Sequence, residues 1–274
     1  MRSKIHEYLR EDIGSGDITS ELLVSPDQKA RGRIIAKERC VLAGAAEASE
    51  VFKELGARAV MRRKDGASVK KGDFILGVSG PARSLLAGER LALNFLMRMS
   101  GIATVTSDMV DKCREVNPHV RVAATRKTVP GFREFEKKAV VLGGGDPHRF
   151  GLDDAILIKD NHINVAGSVH EALKRAKRSS FTKKIEIEVE CEKDAFAALE
   201  AGADIIMLDN FGPGEARELY SKLKERCPDI LVEVSGGITP ENIARYADAA
   251  DIISVGWITH SVRSVDFSMS IERA

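Results

Sequence analysis

The chain has 274 residues, 43% of them apolar, which is enough for one large domain or two with ordinary cores. Forty-two Lys and Arg stand against 41 Asp and Glu, a formal net charge of +1, and aromatics are only 5%, so neither a generic polyanion binder nor a base-stacking surface is expected. No apolar run approaches the roughly 18 residues of a spanning helix, and the start, with Arg2, Lys4, His6 and Glu7, has no signal-peptide core, so membrane and secreted classes are set aside. In chain order, Arg31 to Lys37, Ala59 to Arg63 and Gly72 to Val78 read as short strands separated by turn-rich stretches. Residues 83–112 read as helix, broken or bent at Ser100-Gly101.

After residue 115 a rhythm appears. Six apolar runs end in polar or glycine residues: Val120 to Lys127, Ala155 to Asp160, Ile185 to Glu190, Asp204 to Asp209, Ile230 to Gly237 and Asp251 to Gly256. Helical patterns over 166–178, 193–202, 213–226 and 240–248 alternate with the later runs. Strands alternating with helices mean βα units and a parallel sheet. No Gly-x-Gly-x-x-Gly follows the first run, and polar groups cap all six, which favours an α/β barrel over a doubly wound sheet. Six strands rather than eight point to an open, incomplete barrel. The domain boundary is placed near residue 105. Residues 1–105 form one domain, with the C-terminal tail a candidate to rejoin it, and 106–274 form the barrel.

A barrel's active site lies at the C-terminal strand ends. The last two ends, Ser235-Gly236-Gly237 and Ser254-Val255-Gly256, either make tight turns or let backbone N–H groups approach a phosphate, with the helix begun near Pro240 adding its positive end. Arg126, Lys127 and Lys159 end earlier strands, and His148-Arg149 follow Gly143-Gly144-Gly145. Solvated charge is the usual fate of such residues, but at a barrel mouth several cations together suit a multiply anionic ligand. Glu186, Glu188 and Glu190 share one strand face. That face looks outward, with Ile185, Ile187 and Val189 inside, or it puts carboxylates beside the phosphate site together with Asp209. In the second case one glutamate and Asp209 are suited to Mg²⁺ or to a developing positive charge. Arg90, Asn94 and Arg98 form one basic stripe on an otherwise apolar helix. Cys40, Cys113, Cys191 and Cys227 form no Cys-x-x-Cys pair, which argues against structural zinc and for reduced thiols in the cytoplasm. Among the histidines only His148 and His260 have a site-like address.

Several long runs, in order, resemble the quinolinate phosphoribosyltransferase family over almost the full length. They are Glu11 to Thr19, Glu89-Arg90, Ser100 to Thr104, Thr125 to Gly131, Glu136 to Gly145, His148 to Asp153, Leu157 to Ile163, Leu208 to Phe211 and the two late glycine loops. The resemblance implies an N-terminal α/β sandwich domain and an open α/β barrel, in a homodimer or larger assembly whose subunits share active sites. It implies transfer of phosphoribosyl from phosphoribosyl pyrophosphate to quinolinate, with decarboxylation to nicotinate mononucleotide in NAD biosynthesis, and with Mg²⁺. On the family pattern Arg126, Arg149 and Lys159 hold the two quinolinate carboxylates, and Arg90 reaches in from the neighbouring chain. Lys127, Glu188 and Asp209 face ribose, pyrophosphate and Mg²⁺. Ser235, Gly236, Gly237, Ser254, Val255 and Gly256 take the 5′-phosphate, and Thr125 and His148 line the same pocket. Trp257 and Val129 depart from that pattern, Trp257 directly beside the phosphate glycine.

Two rival readings are weighed against it. A relative acting on nicotinate or another acceptor needs no receptor for a second carboxylate, and the set Arg90, Arg126, Arg149 and Lys159 favours quinolinate. The stretch Lys64 to Gly80 resembles half of a biotinyl- or lipoyl-type carrier module, but no modifiable lysine stands at the tip of an opposing hairpin.

Overall fold

The structure, a computed structural model, describes residues 2–179 and 181–274. The chain divides into two compact units, Met1–Val105 with Val141–Gly143 and Val262–Ala274, and Thr106–Val140 with Gly144–Ser261.

In the first unit, α1 (Arg2–Ile13) buries Ile5 and Leu9 one turn apart, and α2 (Ile18–Leu23) is capped by Asp17, whose side chain accepts from Ser20 N at 3.0 Å. Strand β1 (Lys29–Ala36) alternates as its sequence predicts, with Ala30, Ile34 and Ala36 buried and Lys29, Arg31 and Arg33 exposed. Then come β2 (Cys40–Val41), α3 (Ala45–Glu54), β3 (Arg58–Met61), β4 (Ser68–Val69), β5 (Phe74–Pro81) and α4 (Ala82–Arg114). The Asp65 carboxylate accepts from Ala45 N at 2.9 Å and Ala46 N at 3.3 Å, satisfying the exposed amides at the start of α3. Strands β3, β5 and β1 form an antiparallel sheet, against which α3 packs.

Helix α4 is continuous, so the expected break at Ser100-Gly101 does not occur. Those two residues serve tertiary packing instead. Ser100 Oγ bonds both the N–H and the carbonyl of Ala43 at 3.0 Å, and a Cβ on Gly101 would sit 2.4 Å from the Arg263 carbonyl oxygen. Low helix propensity here marks a close backbone approach rather than a hinge.

The second unit carries the βα series: β6 (Arg121–Ala123), α5 (Arg133–Leu142), β7 (Ile156–Ile158), α6 (Asp160–Ala166), α7 (Val169–Ala176), β8 (Ile185–Val189), α8 (Glu192–Glu200), β9 (Ile205–Asp209), α9 (Pro213–Arg226), β10 (Leu231–Ser235), β11 (Ile252–Ser254) and α10 (Trp257–His260). The last strand, β12 (Phe267–Arg273), belongs to the first unit and pairs antiparallel with β1. Strands β6 to β11 are parallel in the order β6-β11-β10-β9-β8-β7. That order follows the chain around a ring and leaves β6 and β7 as the two edges, which is an open barrel. A doubly wound sheet would reverse direction at a switch point.

Two helical expectations need correction. The pattern over 166–178 is split, because Ser168 caps α7, its Oγ accepting from Glu171 N at 3.2 Å. The pattern over 240–248 yields only a 3-10 turn, Ile243–Tyr246. There Asn242 Oδ1 accepts from Thr239 N at 2.8 Å and Nδ2 donates to the Gly237 carbonyl at 3.1 Å, local bonds that compete with an α-helix. The first glycine loop therefore has no α-helix dipole behind it.

Candidate active site

The C-terminal strand ends of the second unit surround one cavity of about 330 Å³. Thr125, Arg126 and Lys127 line it from the loop after β6, His148 and Arg149 from the segment after α5, and Lys159 from the end of β7. Glu188 on β8, Asp209 on β9, Ser235 on β10 and Ser254 on β11 complete the polar wall, with Ala124, Leu157 and Met207 as apolar lining. On β8 the isoleucines and Val189 are buried on one face while Glu188 reaches the cavity from the other. The outward-facing reading of the glutamates thus holds only for Glu190, which lies beyond the strand and is exposed.

The loops that carry these groups are tightly determined. His148 has φ 52° and Asn210 φ 61°, conformations unusual for non-glycine residues and concentrated where structure is over-determined. Asn210 N donates to the Ser235 carbonyl at 2.9 Å, and Asn210 Nδ2 donates to Asp209 Oδ2 at 2.7 Å. Gly236 has φ +95°, and a Cβ there would lie 2.3 Å from Asn210 Oδ1, so only glycine fits. Gly236, Gly237, Val255 and Gly256 belong to the two late loops without lining the cavity through side chains. A Cβ on Gly256 would lie 2.9 Å from Lys127 Cδ, which puts that lysine alongside the second loop. His260 is exposed, with Nδ1 2.6 Å from Ser261 Oγ, and does not line the cavity. Arg90 lies in the first unit, in a recess with Asp12, Gly16, Asp17, Ile18 and Leu86.

Charge in the cavity is balanced internally. Lys159 Nζ is ion-paired with Glu188 Oε2. Burial raises the Asp209 carboxyl above its ordinary value, and Lys159 and Lys127 offset part of that. Burial also lowers the Arg149 guanidinium, with Arg126 acting the same way, while Glu186 and Glu188 oppose it. Arg126 Nε, Ser254 Oγ, both carboxylate oxygens of Glu233 and Glu186 Oε1 are buried without a hydrogen-bond partner in the protein. Such atoms cost free energy and mark where a polar ligand has donors and acceptors to meet.

Beneath the cations lies a group the sequence reading did not assemble. His148 Nε2 is 3.6 Å from Glu186 Oε2 and 3.4 Å from Glu233 Oε2, and Glu233 is fully buried. Among the described residues this is the one set of three side chains with metal-ligand spacing. Its tautomer argues against metal. His148 Nδ1 accepts the Arg149 N–H at 2.7 Å, so the ring hydrogen sits on Nε2, the atom a metal would need. Burial works against a charged imidazole, but the close carboxylates of Glu233 and Glu186 outweigh it and raise the His148 pKa. Burial, reinforced by Glu233, pushes Glu186 up to about 8. The signal for Glu233 was its shared parity with Ser235 on one strand, a lone acid inside an apolar run.

Because the folded pKa of Glu186 is raised, its stabilising contribution is fully present below its ordinary value near 4.5 and is lost as pH rises through about 8. Glu186→Gln removes that loss. Melting midpoints measured from pH 5 to pH 9 should show the variant gaining on the parent protein as pH rises. Parallel curves would mean that Glu186 titrates normally.

The comparisons with known proteins agree with this fold. Residues 17–100 match the family model described as quinolinate phosphoribosyl transferase, N-terminal domain, and residues 102–270 match that of its C-terminal domain. A protein of Archaeoglobus fulgidus named probable nicotinate-nucleotide pyrophosphorylase [carboxylating] is 50% identical over 260 residues, covering 93% of this chain and 98% of its own length. The human nicotinate-nucleotide pyrophosphorylase [carboxylating] is 37% identical over 273 residues, covering 99% and 91%. The crystal structure of NadC from Streptococcus pyogenes is 39% identical with a TM-score of 0.92, covering 99% of this chain and 96% of that one. With both domain models matched in order, and relatives of this identity aligned almost end to end, the chain belongs to the quinolinate phosphoribosyl transferase family.

Proposed function

We propose that this chain transfers phosphoribosyl from phosphoribosyl pyrophosphate to quinolinate and decarboxylates the product, releasing nicotinate mononucleotide, pyrophosphate and carbon dioxide in NAD biosynthesis. The observation that carries this reading is the convergence of Arg126, Arg149 and Lys159 on one cavity that also holds Glu188 and Asp209. Guanidinium groups pair two-pronged with carboxylates, and two such groups with a lysine suit an acceptor bearing two of them. The ring nitrogen of quinolinate supplies the attacking electron pair, so no protein nucleophile is needed. Pyrophosphate leaves from the anomeric carbon, and Glu188 and Asp209 face the positive charge that develops on the sugar. When the carboxylate beside the ring nitrogen leaves as carbon dioxide, the pyridinium nitrogen stabilises the electron pair left on carbon, which then takes a proton. Lys127 and the loops Ser235-Gly236-Gly237 and Ser254-Val255-Gly256 receive the phosphates through charge and backbone N–H groups.

Magnesium fits the same place. Glu188 and Asp209 offer hard oxygen donors on adjacent strands. Glu188 and Asp209 would hold the ion together with oxygens of the substrate, and Mg²⁺ would there supply charge neutralisation for the pyrophosphate group. Four unpaired cysteines, with Cys40 and Cys113 buried, support a reducing, cytoplasmic setting.

The working unit is a homodimer in which Arg90 serves the partner's cavity. Supporting this, α2 exposes Ile18, Leu22 and Leu23, each more than 70% accessible, and Ile18 and Leu86 share the recess of Arg90. Exposed apolar residues so close together are characteristic of an association surface.

Asp209→Asn should lower turnover by about 10²–10³ while changing quinolinate affinity far less, as expected for a group that acts mainly in the transition state. Near-normal turnover, measured with the folded variant, would remove Asp209 from that role. Arg90→Ala and Lys159→Ala should each be nearly inactive alone. In a mixed two-fold dimer one site carries both lesions and the other none, so after random subunit exchange activity should return to about a quarter of the parent value. If Arg90 serves its own chain, mixing restores nothing.

A further inference from the structure

Of the three acceptor-binding cations, Lys159 stands at the end of strand β7, while Arg126 and Arg149 stand on two irregular segments. Arg126 and Lys127 belong to the loop after β6, and His148 and Arg149 to the segment after α5. Among the described residues the backbone joins them only at their bases, where Ala124 N donates to the Asp146 carbonyl at 2.9 Å and Asp146 N to the Val122 carbonyl at 2.8 Å, short of the cations themselves. A receptor for two carboxylates depends on that distance.

The first turn of α5 bonds to both. Arg133 Nε donates to Thr128 Oγ1 at 2.9 Å, and the same guanidinium donates through Nη1 to the Phe150 carbonyl at 3.0 Å. Glu136 Oε2 accepts from Val129 N at 3.0 Å. Lys137 Nζ donates to the Pro147 carbonyl. Arg133, Glu136 and Lys137 lie at i, i+3 and i+4, hence on one face of the helix. Glu136 is fully buried and Lys137 nearly so. Burying two charged side chains in a helix's first turns is costly, and the burial does not serve the cavity directly, since none of the three lines it. Burial also brings the Lys137 amine down to about 8, which fits a group used as a directed donor rather than as surface charge. Two of the four bonds end within three residues of Arg126, and the other two flank His148-Arg149 on either side.

We propose that Arg133, Glu136 and Lys137 are positioning residues that hold the Arg126 loop and the Arg149 segment at one spacing, and thereby set the site's preference for an acceptor with two carboxylates over one with a single carboxylate. The proposal rests on the quinolinate reading above. Arg133 is the member that bridges: a single planar side chain ties one segment to the other, and a lysine could replace only one of its two bonds.

The test uses Arg133→Met, which is half-buried and does not touch the cavity, with Thr128→Val as the second variant and the double variant closing a cycle. Steady-state assays with phosphoribosyl pyrophosphate should show KM for quinolinate raised about tenfold in Arg133→Met, with kcat changed by less than about threefold. Calorimetry should show the preference for quinolinate over nicotinate reduced by a similar factor. Thr128→Val should give part of the same effect, and the losses should be less than additive in the double variant, because both remove the Arg133–Thr128 bond while Thr128→Val also removes the 3.4 Å bond from its Oγ1 to the Arg126 carbonyl. Two results would overturn the proposal. One is an unchanged quinolinate KM in a variant that melts like the parent. The other is additive losses that fall equally on quinolinate, nicotinate and phosphoribosyl pyrophosphate, which a general loosening would produce. If Arg133→Met fails to fold, Thr128→Val alone decides, by its quinolinate-to-nicotinate ratio. A parent protein that turns over no quinolinate would instead sink the functional reading.

Discussion

The interior of the barrel holds opposite charges at close range, and the rest of the site depends on how they are partnered. Barrel interiors are ordinarily filled by branched apolar side chains. Here the upper layer holds Glu188 and Asp209 against Arg126, Arg149 and Lys159. A receptor for an anion cannot be made of cations alone in a low-dielectric cavity, because like charges would expel one another and unfold the mouth. The carboxylates keep the cations in place. Lys159 is already paired with Glu188, so on the proposed reading an incoming carboxylate would exchange with that pair rather than capture a free charge, and Glu188 would be released toward the sugar and pyrophosphate.

Below this layer, His148 is held from two directions. Its backbone N–H donates to Asp146 Oδ1 at 2.7 Å, and its Nδ1 accepts from the next residue, which directs Nε2–H down to Glu186 and Glu233. His148 takes a left-handed conformation, and both its ring and the Arg149 side chain line the cavity. Helix α5 then ties this segment to the loop of Arg126. Groups carried on loops gain precision from such supports, and here the bonds to both segments come from the start of one helix.

Much of this was legible in the sequence, for physical reasons that can be named. Strands β6 to β11 were visible because each is an apolar run ending in a polar group, and the ring order follows from βα units that connect neighbours. Arg126, Lys127, Lys159, Asp209, Ser235 and Ser254 were legible through their strand-end address alone. His148 and Arg149 were legible from their place in the connection between two strands, directly after the glycine run Gly143-Gly144-Gly145. What escaped was tertiary. Ser100-Gly101 looks like a helix break by propensity and is in fact where Ala43 and Arg263 approach α4. Residues 240–248 have helical periodicity, but Asn242 spends its side chain on a local turn. The trio of His148, Glu186 and Glu233 is drawn from three distant segments, and only strand parity hinted at Glu233. The roles of Arg133, Glu136 and Lys137 cannot be seen without knowing which loops α5 touches.

On the proposed function, this charge arrangement receives a pyridine dicarboxylate and removes one of its carboxyl groups. The decisive experiment incubates the protein with phosphoribosyl pyrophosphate and Mg²⁺, and with quinolinate or nicotinate in parallel. Quinolinate should give nicotinate mononucleotide and carbon dioxide in equal amounts, and nicotinate little or no mononucleotide. Equal turnover of nicotinate, or a mononucleotide formed from quinolinate without carbon dioxide, would contradict it.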